Sequence, residues 1–472
     1  MPFCSPPPRV RWFLINFKLP DEMRPLIYAV LLLVLASGCK PPVSFTDQQV
    51  AAVWADMALH VTKATPSNSP TYASRSFGYI GLTMYESVVA GYPEYQSLAG
   101  SLNGLDSLPL PVEGLSYHWP LCLSAGQAAM IRYMYPQAQD TTVQKIDSLE
   151  QVVNGYFSEK LQDTALVNRS VAYGRAVADA IFAWAQTDGG HRGYLRNFDK
   201  TWEHSVHPGG WRPALYSQSF SHEPLHPHWG KNRTFLAENA AIPEPAIIPY
   251  DTTPGSAYYE QFRQVYEKGN ELTEEEKRIA VWWGDDPGET FTPGGHSYYL
   301  ATLALKKTQP ELIRWAETLA RVGMSISDAF VVCWKWKYHF FTERANTFIP
   351  KYIDVEWESF WPDPPFPAFP SGHAIQSAAA ATVLEDLYGK TFSFTDSAHA
   401  HRAPDGLRGT EFIPRKFESF WQAAEETANS RFYGGIHIPQ DNAAGQALGI
   451  QVGQHVNALP WKKTSSTVST AP

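Results

Sequence analysis

Apolar residues recur at helical spacing along most of the chain, and this pattern predicts an almost entirely helical protein. In segment 168–186, for example, Val171, Ala178, Ile181 and Ala185 lie near one helix face. No convincing alternation of apolar and polar residues predicts a strand. The predicted helices cover residues 47–65, 72–90, 123–135, 141–161, 168–186, 273–283, 298–306, 310–344, 372–388, 417–433 and 441–457.

Capping residues and breakers define several of these boundaries. Asp47 is predicted to cap the first helix, and Thr273 with Glu276 forms a capping-box pattern. Segments 187–251 and 347–370 are rich in Pro and in Gly, His or aromatic residues, which predicts long ordered loops.

The expected fold class is therefore all-α, with two four-helix-bundle-like halves in one helical domain. We expect the domain at 47–460, its N-terminal half at about 47–270 and its C-terminal catalytic half at about 271–460. Residues 461–472 are expected to form a disordered tail.

Composition narrows the class of protein. Hydrophobic residues make up 44% of 472 residues, and aromatic residues 14%, which excludes general disorder and allows a large core. The formal net charge of −9 argues against a nucleic-acid partner. Four cysteines exclude a disulfide scaffold, and whether Cys122 pairs with Cys333 stays open.

The N-terminus carries a targeting signal. The apolar run 26–36 suits a signal peptide, and the small residues before Cys39 resemble a bacterial lipobox. The alternative is an ordinary signal peptide with a chance cysteine. Met23 heads a cleaner signal than residues 1–22, which favours a start codon at Met23. We expect a signal segment at 1–38, a linker at 39–46 lipidated at Cys39, and an extracytoplasmic protein whose only membrane contact is this anchor.

The first chemical motif lies on the long helix predicted at 310–344. Ile326, Phe330 and Cys333 form an apolar stripe, and Lys337 continues it four residues on. Arg344 follows seven residues later, on the same face if the helix persists. Two inward cations require a buried anion or carboxylates. Taken alone, a solvated helix face explains this spacing as well.

The second motif is the Pro-Ser-Gly-His sequence that opens the helix at 372–388. Ser371 is placed as its N-cap, with the amides of Gly372 and His373 at the helix start. Such a terminus favours an anion, and His373 stands where a general acid–base would act on it. The alternative is a Ser cap beside a chance His.

The third motif joins the last two predicted helices. Arg431 closes one helix, and His437 lies near the start of the next after a Gly pair. Asp441 is four residues on, within reach of one imidazole nitrogen, which leaves the other nitrogen as nucleophile or ligand. The alternative is a histidine at a helix break with a capping Asp.

Together the three segments read K-x6-R, P-S-G-H and S-R-x5-H-x3-D. This pattern resembles the signature of the type 2 phosphatidic acid phosphatase superfamily, which includes the vanadium-dependent haloperoxidases. One departure is Ala345, where the family usually has Pro. Because Pro there shapes the chain and contacts no anion, the departure is minor.

The resemblance implies a vanadate cofactor and a role for each matched residue. His437 bonds the vanadium axially or attacks phosphorus, and His373 handles protons on peroxide or on a leaving alcohol. Asp441 orients His437. The residues implied to hold the oxyanion are Lys337, Arg344 and Arg431 as counter-charges, with Ser371 and the Gly372 amide as hydrogen-bond donors.

Two aromatic residues favour the haloperoxidase branch. Trp334 and Phe366 resemble the residues beside vanadate in bacterial iodide-oxidising relatives, and the run around Phe366 resembles fungal chloroperoxidases. Simple core packing is the alternative for both. The predicted activity is oxidation of halide, iodide or bromide favoured, by hydrogen peroxide to hypohalous acid, which halogenates an organic acceptor. The alternative is an acid phosphatase that acts through a phosphohistidine at the same site.

Other histidines are candidate metal ligands. His222, His226 and His228 could hold zinc by spacing, but the flanking Pro residues favour a structural loop, and His191, His204 and His207 are interpreted likewise. Segment 282–296 resembles bacterial members of the family and is expected at the pocket mouth, without a chemical step.

Overall fold

The computed structural model describes residues 44–203, 206–219 and 221–463. Within these residues the fold is helical, as the sequence predicts. The helices longer than one turn are α1 (Asp47–Ala64), α2 (Pro70–Glu86), α3 (Trp119–Met134), α4 (Asp140–Leu161), α5 (Thr164–Ala185), α6 (Ala257–Asn270), α7 (Glu274–Trp282), α8 (Thr292–Thr308), α9 (Leu312–Phe340), α10 (Ala345–Tyr352), α11 (Gly372–Tyr388), α12 (Phe420–Tyr433) and α13 (Pro439–Asn457). Single turns are Val89–Gly91, Gly193–Arg196, Trp229–Lys231 and Ala237–Ala240, and the strands are β1 (Phe394–Asp396) and β2 (Arg415–Phe417).

Helix α9 is the central element, packed against α2 on one side and α11 on another. Its backbone comes very close to α2, because a Cβ on Gly323 would lie 2.4 Å from the carbonyl oxygen of Phe77. Helices α11 and α13 are similarly close, since a Cβ on Gly449 would lie 2.2 Å from the oxygen of Ile375. These contacts fix α9, α11 and α13, which carry most of the chemical motifs.

Helix caps follow the sequence in part. Thr273 and Glu276 form the predicted capping box, in which the Thr273 amide donates to Glu276 over 2.9 Å. The first helix is capped by Thr46 and not by Asp47, so that prediction is wrong. Thr46 has an extended backbone and forms a capping box with Gln49, while Asp47 already lies in the first turn.

Two predicted boundaries need correction, and one helix was not predicted. The helix predicted to reach Arg344 ends at Phe340, because Phe341 takes a left-handed backbone conformation with φ of 51°. The predicted loop at 347–370 begins inside helix α10. Helix α6 was not predicted, since its sequence is mostly polar and only Tyr258, Phe262 and Val265 are buried.

The two short strands were not predicted either. They pair antiparallel with Phe394 opposite Phe417 and Asp396 opposite Arg415. Three residues are too few to produce a recognisable alternation. Their role is local, and they leave the fold class unchanged.

The described residues from Phe45 onward form one compact unit. Cys122 and Cys333 are both free and buried, which answers the question of their pairing. Trp461 is buried and Lys463 bonds Glu94, so ordered structure extends into the segment expected as a tail, whose residues 464–472 lie outside the described residues. The division into halves near residue 270 stays a prediction.

The predicted signal segment and Cys39 also lie outside the described residues. Among the helices of the described part of the chain, none combines the length and apolar character needed to cross a membrane.

Candidate active site

A cavity of about 580 Å³ opens where the ends of several helices meet. Its wall includes the start of α11, the end of α12 and the turn before α13. The matched residues that line it directly are Trp334, Phe366, Gly372, His373, Arg431 and His437.

Lys337 reaches this region from the buried face of α9. Ile326, Phe330 and Cys333 are buried as the apolar stripe predicts, and Lys337 is itself 0% exposed. Its Nζ donates to the carbonyl oxygens of Pro367 at 2.8 Å and Ala368 at 2.6 Å. Burial lowers the pKa of Lys337 to about 7, despite the opposing effect of Cys333.

Arg344 does not lie on helix α9, contrary to the prediction from the sequence. Because α9 ends at Phe340, Arg344 lies after a turn, immediately before α10, and not two helical turns beyond Lys337. It is buried and donates only to carbonyl oxygens among the described residues. These acceptors are Phe366 at 3.0 Å, Ile436 at 2.7 Å and Pro367 at 3.3 Å. Burial lowers its pKa.

Arg431 lies in the last turn of α12 and is 1% exposed. It donates to the carbonyl oxygen of Ala280 at 2.8 Å and to the hydroxyl of Ser430 at 2.9 Å. Burial lowers its pKa to about 10. Within the described residues, none of the three basic side chains is hydrogen-bonded to a carboxylate, although Asp441, Asp363, Asp286 and Asp285 lie near enough to raise their pKa values against burial.

The Pro-Ser-Gly-His segment forms the start of α11 as predicted. Ser371 is the N-cap, and its hydroxyl accepts from the Ala374 amide at 3.4 Å. The Ser371 amide donates to the carbonyl oxygen of Asp441 at 2.9 Å, which joins α11 to α13. Gly372 is the first helical residue, so its amide belongs to the free N–H groups of the helix terminus.

His373 presents a ring nitrogen with no protein partner. Its Nε2 is buried and makes no hydrogen bond within the described chain. Burial holds the pKa of His373 well below its ordinary value, and Arg431 lowers it further, whereas Asp285 acts in the opposite direction. The neutral ring therefore offers either an acceptor or a donor to a molecule in the cavity.

His437 is oriented by Asp441. Its Nδ1 lies 2.9 Å from Oδ2 of Asp441, and the carboxylate can only accept, which assigns the proton to Nδ1. Nε2 is then the basic nitrogen, and His437 lines the cavity. Burial lowers the pKa of His437, with Arg344 and Lys337 adding to the effect. Burial raises the pKa of Asp441 to about 7, which the same two cations oppose.

Trp334 and Phe366 form an aromatic wall beside the cations. Their ring centroids are 4.9 Å apart, and the indole nitrogen of Trp334 donates to the carbonyl oxygen of Leu225 at 3.1 Å. Lys337 Nζ lies 5.8 Å from the Trp334 ring and 5.3 Å from the Phe366 ring. Both residues pack in the core and line the cavity, so packing and a pocket role coexist.

Segment 282–296 lines the cavity through Gly284, Asp285 and Asp286, as expected. Behind it lies a group that sequence reasoning missed. Asp285 and His296 join Asp396 and His399 in one buried hydrogen-bonded chain. Asp396 ends strand β1 and His399 follows it, 100 and 114 residues along the chain from their partners His296 and Asp285, with no motif around them that could have signalled the contact.

Among the described residues, the histidines of segment 187–251 do not come together as a cluster of metal ligands. His226 is buried, with Nδ1 bonded to Thr71 at 2.6 Å and Nε2 to the carbonyl oxygen of Gly193 at 3.1 Å. His228 is instead bonded to Asp199, and His204 lies outside the described residues. The structural-loop interpretation thus fits the described histidines of this segment.

Comparisons with known proteins agree with this geometry. The family model of the VCPO second helical-bundle domain matches residues 317–463. A crystal structure of a bacterial vanadium-dependent iodoperoxidase shares 29% identity over 91% of this chain and 100% of its own, with a TM-score of 0.78. No curated protein sequence matches the chain.

Two further structures, of a bacterial vanadium-dependent chloroperoxidase, share the fold. The holo form is 13% identical over 89% of this chain and 94% of its own, with a TM-score of 0.62. The apo form is 14% identical over 90% and 96%, with a TM-score of 0.60. The chain is thus similar to the bacterial vanadium-dependent haloperoxidases, and neighbours of this kind imply a vanadate cofactor.

The site fits this cofactor on its own chemistry. Three buried basic side chains that no carboxylate of the described residues hydrogen-bonds, a helix N-terminus and two imidazoles that line the cavity suit a tetrahedral oxyanion. The residues that would hold vanadate are Lys337, Arg344, Arg431, Ser371, Gly372 and His437.

Proposed function

We propose that this haloperoxidase oxidises iodide or bromide with hydrogen peroxide and releases hypohalous acid to an organic acceptor. The observation that carries the proposal is a cavity lined by Arg431, His437 and an aromatic wall. Buried Lys337 and Arg344 each lie 5.3 Å from the Phe366 ring of that wall. Bound vanadate supplies a Lewis acid that activates peroxide without changing oxidation state.

The cationic residues hold and polarise the oxyanion. Lys337, Arg344 and Arg431 are fixed by backbone carbonyl oxygens, so they need no reorganisation when negative charge develops. Asp441 keeps the His437 proton on Nδ1 and thereby keeps Nε2 free to bond vanadium.

His373 is the proposed proton carrier. Its neutral Nε2 accepts a proton from hydrogen peroxide and returns it to a leaving oxygen. The depressed pKa favours the accepting form at neutral pH. Formation of hypohalous acid and water from halide and hydrogen peroxide consumes one further proton, which solvent supplies.

The aromatic wall supports a soft halide. Iodide and bromide are polarisable and weakly hydrated, so a face built by Trp334 and Phe366 suits them better than chloride. The iodoperoxidase that shares 29% identity with this chain points the same way. The choice between iodide and bromide is the finer part of the proposal.

The test uses the purified chain, apo and reconstituted with vanadate. Oxidation of iodide, bromide and chloride by hydrogen peroxide is assayed in parallel with hydrolysis of p-nitrophenyl phosphate. We expect vanadate-dependent halide oxidation that phosphate inhibits by competition. Phosphatase turnover inhibited by vanadate, without halide oxidation, would overturn the proposal in favour of the phosphohistidine mechanism.

We also propose that the mature chain is lipidated at Cys39 and extracytoplasmic. The support is the apolar run 26–36 followed by small residues and a cysteine. Expression of the full chain in a bacterium with labelled palmitate should label the wild type but not Cys39→Ser. A soluble, unlabelled wild-type protein would contradict the anchor.

A further inference from the structure

A chain of buried side chains runs from the cavity wall into the core. Asp285 lines the cavity, and its Oδ2 lies 2.9 Å from His296 Nδ1 while its Oδ1 lies 3.1 Å from His399 Nε2. On the far side, His296 Nε2 lies 2.8 Å from Oδ2 of Asp396. That oxygen also accepts from the indole nitrogen of Trp282 at 2.7 Å. Each of these side chains is at most 2% exposed.

The geometry fixes the charge of His296. Both ring nitrogens face carboxylate oxygens, and an ionised carboxylate can only accept hydrogen bonds. A neutral imidazole has one N–H, so its second nitrogen would direct a lone pair at a carboxylate. A protonated carboxyl group beside a neutral ring would also satisfy both bonds, but His296 lowers the pKa of Asp285 and of Asp396 against the opposing effect of burial, so the proton lies on the ring. Burial lowers the pKa of His296, but Asp285 and Asp396 outweigh it and raise the pKa to about 10.

His296 in turn fixes the charge of Asp285. Burial alone would favour the neutral acid, but His296 and His399 lower the pKa of Asp285 below its ordinary value. The two histidines differ, because burial lowers the pKa of His399 and leaves it a neutral donor. The charge that keeps Asp285 ionised thus comes from His296.

Asp285 acts on the reacting groups across the cavity wall. Arg431 and Lys337 lower the pKa of His373, whereas Asp285 raises it. Asp285 also raises the pKa of Arg431, as does its neighbour Asp286. His296 further stacks on Trp283 at 4.4 Å, and the Trp283 backbone is hydrogen-bonded to His373.

We propose that His296 is a permanent imidazolium that keeps Asp285 ionised at the cavity wall, and that this pair is a positioning element for proton transfer by His373. The charge assignment stands on the apo chain alone. Only the effect on His373 rests on the proposed function.

The first test reads the charge directly, without vanadate or turnover. Histidine side chains of the full chain are labelled with nitrogen-15, and ring N–H correlations are recorded at about pH 8, above the ordinary histidine pKa of about 6.5. We expect one ring with both nitrogens protonated, whose signals disappear in His296→Gln. A ring of His296 with an unprotonated Nδ1, as in a neutral imidazole or one bound to a metal ion with Asp285 and His399, would overturn the proposal.

The second test separates the charge from a structural role through the pH profile of halide oxidation. Asp285→Asn should reduce turnover about equally at every pH. His296→Gln should match Asp285→Asn at low pH and recover toward wild type at high pH, because Asp285 then titrates within the measured range. In His296→Gln we expect the turnover of halide oxidation to fall about tenfold for each pH unit below the new pKa of Asp285, until it reaches the level of Asp285→Asn.

Two variants keep this test decisive. Asp396→Asn removes the second carboxylate, far from the cavity, and should move the acidic limb of the pH profile in the same direction as His296→Gln. It takes the place of His296→Gln if that variant folds poorly. His399→Gln replaces a neutral donor by a neutral donor to the same carboxylate, and should move the limb less. A loss that is uniform with pH in both His296→Gln and Asp396→Asn would overturn the positioning role. Absence of halide oxidation in the wild type would instead refute the proposed function and leave the charge of His296 to the first test.

Discussion

The buried arginines of this chain are of two kinds, which differ in the oxygen atoms that accept from the guanidinium group. Arg75 in α2 is paired with Asp188 at 2.6 Å, and that carboxylate also accepts from Tyr79 at 2.7 Å. Asp188 raises the pKa of Arg75 above its ordinary value, although burial opposes it. Arg344 and Arg431 face carbonyl and hydroxyl oxygens, and burial lowers both pKa values.

The difference distinguishes a structural cation from a binding one. A buried charge that the protein neutralises itself has no need of a ligand, whereas a buried charge left to neutral oxygens is stabilised when an anion arrives. The histidines repeat the contrast. Both ring nitrogens of His226 have protein partners, while His373 keeps Nε2 without one among the described residues.

The largest expected effect comes from removing a histidine of the candidate site, compared with removing a histidine whose two ring nitrogens already have protein partners. His437→Ala should lose vanadate-dependent halide oxidation by about 10³-fold or more, because it removes the vanadium ligand. His226→Ala should retain the activity and lose stability instead, since it removes the buried hydrogen bonds of the ring to the Thr71 hydroxyl and the Gly193 carbonyl. Steady-state rates over a vanadate titration check the prediction. Normal vanadate binding and turnover in His437→Ala would show that the site assignment is wrong.

A stability comparison of the arginines comes next in size. Arg75→Met should lower the free energy of unfolding of the apo protein by about 3–5 kcal/mol, because Asp188 remains as an uncompensated buried charge. Arg344→Met should change it by no more than about 2 kcal/mol, since relief of an unpaired charge offsets the lost hydrogen bonds.

Urea unfolding with and without phosphate checks this pair. Phosphate should stabilise the wild type and, if it folds, Arg75→Met, by about 2.7 kcal/mol at one hundred times its dissociation constant. It should stabilise Arg344→Met much less. Equal destabilisation of the two apo variants would remove the distinction between structural and binding cations.

The pH dependence of apo stability isolates Lys337. Its pKa is about 7 in the folded chain against an ordinary 10.5, so between these values the unfolded chain holds a proton that the folded chain has released. Stability from this residue should therefore rise with pH through this window, by up to about 1.4 kcal/mol per pH unit. Below pH 7 both states are protonated and the contribution is flat.

The measurement is the free energy of unfolding in phosphate-free buffers, wild type minus Lys337→Met. Subtraction removes the other groups that titrate in the same range. We expect the difference in unfolding free energy to rise with pH between about 7 and 10.5. It should become flat when phosphate is added, because a bound anion restores the Lys337 charge. A flat difference in the apo protein would mean that Lys337 is already neutralised by the protein.

The smallest effect concerns halide choice. Trp334→Phe keeps an aromatic face but shortens it and removes the bond to Leu225, so the iodide-to-bromide ratio of kcat/KM should change by about tenfold or less. Trp184→Phe is the matched control, because its indole also donates to a carbonyl oxygen, that of Asn103, but away from the cavity. If both variants had the iodide-to-bromide ratio of the wild type, the role of Trp334 would be core packing alone.

The sequence was sufficient for the helical class and for naming candidate site residues, because both depend on local spacing. Apolar periodicity predicted most helices, and the three short motifs named His373, His437 and the cations. It missed α6, whose polar sequence buries only three side chains, and it extended α9 past Phe341, whose left-handed turn has no local glycine or proline signal.

Tertiary structure alone decided which charges are paired. Arg75, Arg344 and Arg431 are the same residue type in the sequence. Their different roles arise because Asp188 hydrogen-bonds Arg75, whereas no carboxylate in the described part of the chain hydrogen-bonds the other two. Likewise His296 becomes an imidazolium only because a strand 100 residues later brings Asp396 to its second nitrogen. The physical reason is that burial and pairing set the energy of a charge, and both depend on contacts between residues far apart in sequence.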